Sequence, residues 1–187
     1  MNKVLLLCSL LLVSSFSYGD ISFGDLSKLS SAPEYLEGKF SQDKYLRELD
    51  AHLESSGKFD YQRGKSIQWE TIEPIQNILL MTPQSITNSQ GEDEIVRLQA
   101  DSNPAVAILS DIFFSVLTAD WPQLAAYFTL SGTVEGEHWQ VELVPSDKAV
   151  MQVVERVKLT GDTFLRELIF FEKNGDQTTI TFSDLSQ

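Results

Sequence analysis

Cysteine occurs once in 187 residues, as Cys8, and that scarcity already removes several classes of protein. Cys8 follows Leu5, Leu6 and Leu7 inside the leading apolar run. A lipid-anchored cysteine would instead follow small residues at the end of such a run, so an anchor at Cys8 is rejected. Beyond it the chain has no thiol for a disulfide, a nucleophile or a zinc site, and it is indifferent to an oxidising compartment. Histidine is nearly as rare. His52 and His138 sit in polar contexts with no Gly-x-Ser-x-Gly elbow or other nucleophile motif, and His138 alternates away from Trp139, Val141 and Leu143. Bases are few, 14 against 27 acids, so nucleic acid and anionic lipid headgroups should repel the chain. There is no phosphate-binding glycine loop, zinc-ligand spacing or basic patch. Glu92, Asp93 and Glu94 are acidic neighbours without the spacing of a calcium loop, and are read as solvated charge. Long apolar runs are missing too: residues 4–13 and 105–117 both fall short of the ~20 residues that span a bilayer, and the second carries Asp111. No catalytic residue, metal site or cofactor is expected, and no nucleic-acid partner.

The leader has the grammar of a secretory signal: Lys3, the apolar run 4–13, then small Ser15, Ser17 and Gly19. Cleavage after Gly19 would leave residues 20–187 as one domain, long enough for a sizeable core. Without Lys3 that remainder has 13 bases and 27 acids, a net charge of −14. The charge reads as solubility, or as a means of keeping a soluble protein from adhering to the membranes it visits.

Periodicity then divides the chain. A short helix is expected over residues 21–31, ended by Pro33. Strands are expected over 37–47 and 58–63, joined through the polar stretch 50–57, and over 67–71, 78–81 and 95–98, with residues 85–90 as a loop. Asn103 can cap a helix, Pro104 suits its first position, and residues 105–117 follow without a breaker. A second helix is expected from about 120 to 128. Turn signals at Glu135-Gly136, Gly161-Asp162 and Asn174-Gly175 then predict a meander with strands over 139–144, 150–159, 163–172 and 178–182. These late strands are apolar on both faces: Leu168 and Phe170 oppose Ile169 and Phe171. Both faces must be covered, or one must line a cavity.

Two features point to function. In the helix beginning at Asn103, Val106, Leu109, Ile112, Phe113, Val116 and Leu117 form a wide apolar stripe. The helix is either a core element packed across a sheet or a lid over a hollow. The second feature is Arg63, which shares strand parity with Phe59 and Tyr61, ahead of Ile67 and Trp69. A guanidinium on an apolar face needs acceptors, unless it reaches solvent at the strand end.

Around this arginine the chain resembles the periplasmic lipoprotein carrier proteins (LolA-like). Their pattern is phenylalanine-x-glutamine-x-lysine, an aromatic strand, an arginine six residues before a tryptophan, and a proline five residues after it. Here these are Phe40, Gln42 and Lys44, then Phe59 and Tyr61, Arg63, Trp69 and Pro74. The match spans residues 37–74. It implies an α+β fold: an incomplete, strongly curved antiparallel β-barrel closed by a short helical lid over an acyl-chain cavity. It also implies that Arg63 latches backbone groups of the lid. Phe59, Tyr61, Ile67, Trp69, Leu80, Trp139, Val141 and Leu143 are the expected cavity lining.

The resemblance further implies a monomeric, non-enzymatic periplasmic carrier of a lipoprotein or other lipid cargo, with an inner-membrane donor complex and an outer-membrane acceptor. The opposing reading is a non-catalytic periplasmic interaction or assembly module whose interior is simply a packed core. One departure concerns the end of the chain. The family continues with a phenylalanine-rich strand and a proline-glycine-valine segment, whereas this sequence stops at Gln187, soon after Thr179, Ile180, Thr181 and Phe182. A shorter branch with non-protein lipid cargo would fit that difference.

Overall fold

The computed structural model describes residues 21–99 and 112–187. The chain enters through helix α1 (Phe23–Leu29) and runs through β1 (Tyr35–Leu46), β2 (Ala51–Gln62), β3 (Ser66–Glu73), β4 (Asn77–Met81), β5 (Ser85–Gln90) and β6 (Asp93–Gln99). Residues 112–117 are helical (α2), and α3 (Trp121–Leu124) follows. The meander β7 (Phe128–Glu135), β8 (His138–Pro145), β9 (Val154–Gly161), β10 (Leu165–Glu172) and β11 (Gln177–Ser186) completes the chain, with a 3-10 turn at Val150–Gln152.

These strands make a single eleven-stranded antiparallel sheet in the order β6-β5-β4-β3-β2-β1-β11-β10-β9-β8-β7. Each hairpin pairs sequence neighbours, and the β1–β11 pairing, with Phe40 opposite Phe182, welds the two meanders together. β6 and β7 stand at opposite ends of this order, so the sheet curls without closing. Irregularities in the ladders help bend it, among them those at Ser56/Gly57 and Leu165/Glu167. Glycine is required where the bend brings neighbours close. A Cβ on Gly57 would lie 1.9 Å from the Glu70 carbonyl oxygen, and one on Gly161 would lie 2.3 Å from the Trp139 ring.

Alternation sends Phe40, Phe59, Tyr61, Ile67, Trp69, Val141, Leu143, Leu159, Ile180 and Phe182 to one buried, concave face. Phe40 stacks on Trp69 with centroids 3.9 Å apart, and Phe182 meets Trp69 edge-on at 6.1 Å. The helices cover this face. α1 starts at Ser22 with a reciprocal cap: the Asp25 amide donates to the Ser22 hydroxyl, and the Asp25 carboxylate accepts from the Ser22 amide. The Ser22 hydroxyl and the Lys28 ammonium, both donating to that carboxylate, together with the Ser22 amide, hold the Asp25 carboxyl down at about 2. The Trp121 indole N–H donates to the Ser30 hydroxyl at 2.5 Å, tying α3 to the end of α1, and its ring meets Trp139 edge-on at 5.4 Å.

Several element boundaries differ from expectation. Of the polar stretch 50–57, all but Asp50 belongs to β2, because the β2 backbone pairs with β1 along its whole length, from Leu46 opposite Ala51 to Tyr35 opposite Gln62. Residues 85–90 form β5, held between β4 and β6. Here neighbouring strands satisfy a backbone whose side chains are polar, and side-chain patterning is blind to that. α3 is a single turn, since β7 begins at Phe128, and β9 starts only at Val154. The three glycine turns fall where expected, with Gly136 and Gly175 at φ +65° and +91°. The cleavage site after Gly19, Cys8, Asn103 and Pro104 lie outside the described residues.

Candidate functional site

A cavity of about 340 Å³ lies between α2 and the concave face of the sheet. It sits near the lower end of the roughly 300–1,000 Å³ typical of ligand pockets. Trp69 and Leu79 line its N-terminal side, Ile112, Phe113, Val116 and Leu117 its roof, and Gln42 of β1 with strands β7 to β11 the rest. α2 presses on the sheet through two rings: Phe113 is edge-on to Trp69 at 6.1 Å, and Phe114 edge-on to Tyr61 at 6.3 Å. Between those contacts and β9–β11 the helix and sheet stand apart.

Of the residues expected to line this hollow, Trp69 and Leu143 do so, together with the four α2 residues within the described part of the helix. Val106 and Leu109 lie outside the described residues. Phe59, Tyr61, Ile67, Trp139 and Val141 are buried on the same face but stand in the packed core beside the cavity. Leu80 points the other way and is 37 % exposed. It lies opposite Gln68, whereas Leu79 lies opposite Trp69 and shares its inward face. The parity of Trp69, carried across one hairpin, was the signal for Leu79. Apart from Gln42 on β1 and Phe128 on β7, the rest of the lining comes from β9, β10 and β11, where apolar residues occupy both faces and parity alone cannot choose the inner one.

Arg63 sits just past the end of β2, and its side chain is 42 % exposed. It caps the inward column of Phe59 and Tyr61 without entering the core. Its guanidinium donates to the carbonyls of Ala32 and Pro33, with Nε 3.2 Å and Nη2 3.0 Å from the Pro33 oxygen, and Nε also lies 3.2 Å from the Glu34 carboxylate. The carbonyls and the carboxylate it holds are therefore on the α1–β1 connection, not on residues 112–117, and its other described neighbour is the Tyr61 phenol. The backbone reinforces this point, since Arg63 N donates to Glu34 O at 2.9 Å. Next to it, burial raises the Tyr61 phenol above its usual range, opposed by the Arg63 charge and by a hydrogen bond with the Thr118 side chain.

One stretch of the cavity wall is polar. Gln42, Glu172 and Thr178 face the hollow, and Lys44 Nζ lies 3.2 Å from Glu172 Oε1. Strand register places them together: Lys44 is opposite Thr178, Gln42 is opposite Ile180, and Thr178 is opposite Phe170. All four are half-buried.

The histidines stand elsewhere and are exposed; His52 Nδ1 lies 2.9 Å from the Asp43 carboxylate. Among the described residues no three His, Cys, Asp or Glu side chains gather as a metal site, and no helix is long and apolar enough to cross a membrane.

The model for the outer membrane lipoprotein carrier protein LolA matches residues 32–187. No curated protein matches the chain by sequence. Among solved structures, a LolA superfamily protein from Nitrosomonas europaea is similar at 10 % identity, over 88 % of this chain and 90 % of that one, with a TM-score of 0.44. A putative outer membrane lipoprotein-sorting protein domain from Vibrio parahaemolyticus is similar at 9 % identity, over 88 % and 90 %, with a TM-score of 0.42. The Pseudomonas aeruginosa MucA/MucB complex contains a chain similar at 13 % identity, over 86 % of this chain and 54 % of that one, with a TM-score of 0.44.

Proposed function

Since the chain belongs to the outer membrane lipoprotein carrier protein (LolA) family, we propose that it is a periplasmic carrier that binds acyl chains beneath α2 and takes a lipoprotein or other lipid from the inner to the outer membrane. The observation that carries this reading is the cavity itself. A helix with Ile112, Phe113, Val116 and Leu117 toward the sheet leaves space above an apolar floor where a packed core would have none. Acyl chains gain about 0.8 kcal/mol per buried methylene. Several methylenes therefore offset the cost of lifting α2 and ordering the ligand. Chemistry of bond-breaking is not needed, and the protein acts by binding and release.

In this reading Arg63 is a clasp for the roof. By holding the carbonyls of Ala32 and Pro33 it fixes the segment leaving α1, and the Ser30–Trp121 hydrogen bond passes that restraint on to α3. Release of the clasp would loosen the helical layer as a unit. A donor complex and an acceptor in the two membranes complete the proposed route, with the residues beyond the leader, 20–187, acting as one domain.

Lipid retained by the protein isolated from its own periplasm, detected by native mass spectrometry, is the first expected result. The second is uptake of a fluorescent acyl probe that Val157→Trp weakens about tenfold by filling the cavity, ~1.4 kcal/mol. A ligand-free protein whose probe affinity is nil, or is the same in the variant, would favour the packed interaction module instead.

A further inference from the structure

We infer that Gln42, Lys44, Glu172 and Thr178 form a head-group subsite, selecting acyl ligands with an uncharged head that both donates and accepts hydrogen bonds over free fatty acids. The inference rests on the acyl-binding reading above and adds the class of ligand.

The argument starts from what this end of the cavity holds. The remainder of the lining is almost wholly apolar, and here three polar side chains enter it together. The Gln42 amide and the Thr178 hydroxyl have no hydrogen-bond partner among the described residues. Lys44 and Glu172 have each other, at 3.2 Å, which leaves ammonium protons and one carboxylate oxygen unused. Half-buried groups with free valence are satisfied by water or by a ligand head. The solvent-accessible fraction of the Lys44 and Glu172 side chains, 34 % and 20 %, shows that this end reaches solvent, where the head of a chain buried under α2 would emerge.

The charge arrangement decides which head fits. Lys44 and Glu172 cancel, and Gln42 and Thr178 are neutral, so the subsite offers donors and acceptors without net charge. The carboxylate rather than the ammonium lines the hollow. A fatty-acid carboxylate would meet Glu172 as a like charge in a partly desolvated place, which is costly. An amide or a glycerol hydroxyl would instead donate to Glu172 or the Gln42 carbonyl and accept from Lys44 or Thr178.

Three probes of one chain length test this: a fatty acid, its primary amide and its monoacylglycerol, each titrated below its micelle concentration by displacement of a fluorescent acyl reporter at pH 7.4. Wild type should bind the amide and the monoacylglycerol at least about tenfold more tightly than the acid. Glu172→Gln removes the facing carboxylate and leaves Lys44 uncompensated, so the acid should equal or overtake the neutral probes. Lys44→Gln leaves Glu172 unpaired and should widen the gap, an opposite sign that loss of folding cannot imitate. Equal binding of the three probes by wild type, or a ratio unmoved by both variants, overturns the subsite and leaves acyl binding standing. Failure of every probe to bind wild type removes acyl binding and the subsite together.

Discussion

The two meanders that meet at β1 and β11 differ in what they bury. β7 to β11 carry Leu143 and Leu159 at zero exposure and supply most of the cavity wall. On the other side, burial falls away beyond β3, until every residue of β6 is exposed, with Ile95 at 57 %. One meander is therefore a wall held by side chains. The outer part of the other is held mainly by its backbone ladder. It follows that stability and ligand capacity should be concentrated in the C-terminal strands and the first strands beside them.

The largest expected contrast is between truncations of equal chemistry. Leu159→Ala should cost about 2–5 kcal/mol in denaturant unfolding, whereas Ile95→Ala should stay within about 0.5 kcal/mol. Equal losses would break the comparison. Gly161→Ala comes next. Its Cβ would meet the Trp139 ring at 2.3 Å and the Phe164 carbonyl at 2.4 Å, so about 1–3 kcal/mol should be lost as the pair is forced apart. The Trp139 indole, which donates to Asp162 O at 2.6 Å, should show the shift in its fluorescence.

Arg63→Leu sharpens the comparison from the roof. It removes donors to two carbonyls that no other described side chain is seen to serve, at about 1–2 kcal/mol. In a vesicle-to-vesicle assay, the variant should keep its acyl probe but transfer it several-fold more slowly than wild type; an unchanged rate would remove the clasp. The smallest effect concerns α1. The folded Asp25 carboxyl, at about 2, lies below its ordinary 3.8. The cap therefore contributes fully above pH 4 and weakens as pH falls from about 4 to 2. Helical signal lost over that window in wild type should be lost already at neutral pH in Asp25→Ala.

Much of the architecture was readable in advance, because period-two alternation and glycine turns are local properties. Phe59, Tyr61, Ile67 and Trp69 face inward as their parity requires, and the hairpins at Gly136 and Gly175 close where those glycines sit. β5 and the first half of β2 were not readable. Residues such as Ser55, Ser56, Asn88 and Ser89 have little strand preference, and it is the backbone of the adjacent hairpin strands, not their own side chains, that holds them in the ladder. The site divided in the same way. Trp69 and the described part of the α2 stripe, Ile112, Phe113, Val116 and Leu117, border the hollow, while Leu79 rather than the expected Leu80 shares the inward face of Trp69.

The amino-acid sequence alone determined the alternation of faces, the turn positions, the acidic surface and the apolar stripe of α2, since each depends on residues a few positions apart. Which face of the doubly apolar strands meets the hollow, how Lys44 comes to meet Glu172, and why Arg63 grips residues 32 and 33 were decided only in three dimensions. Those outcomes depend on the β1–β11 register and on the closeness of α1 to the end of β2. Both join segments widely separated along the chain, and no local pattern encodes their contact.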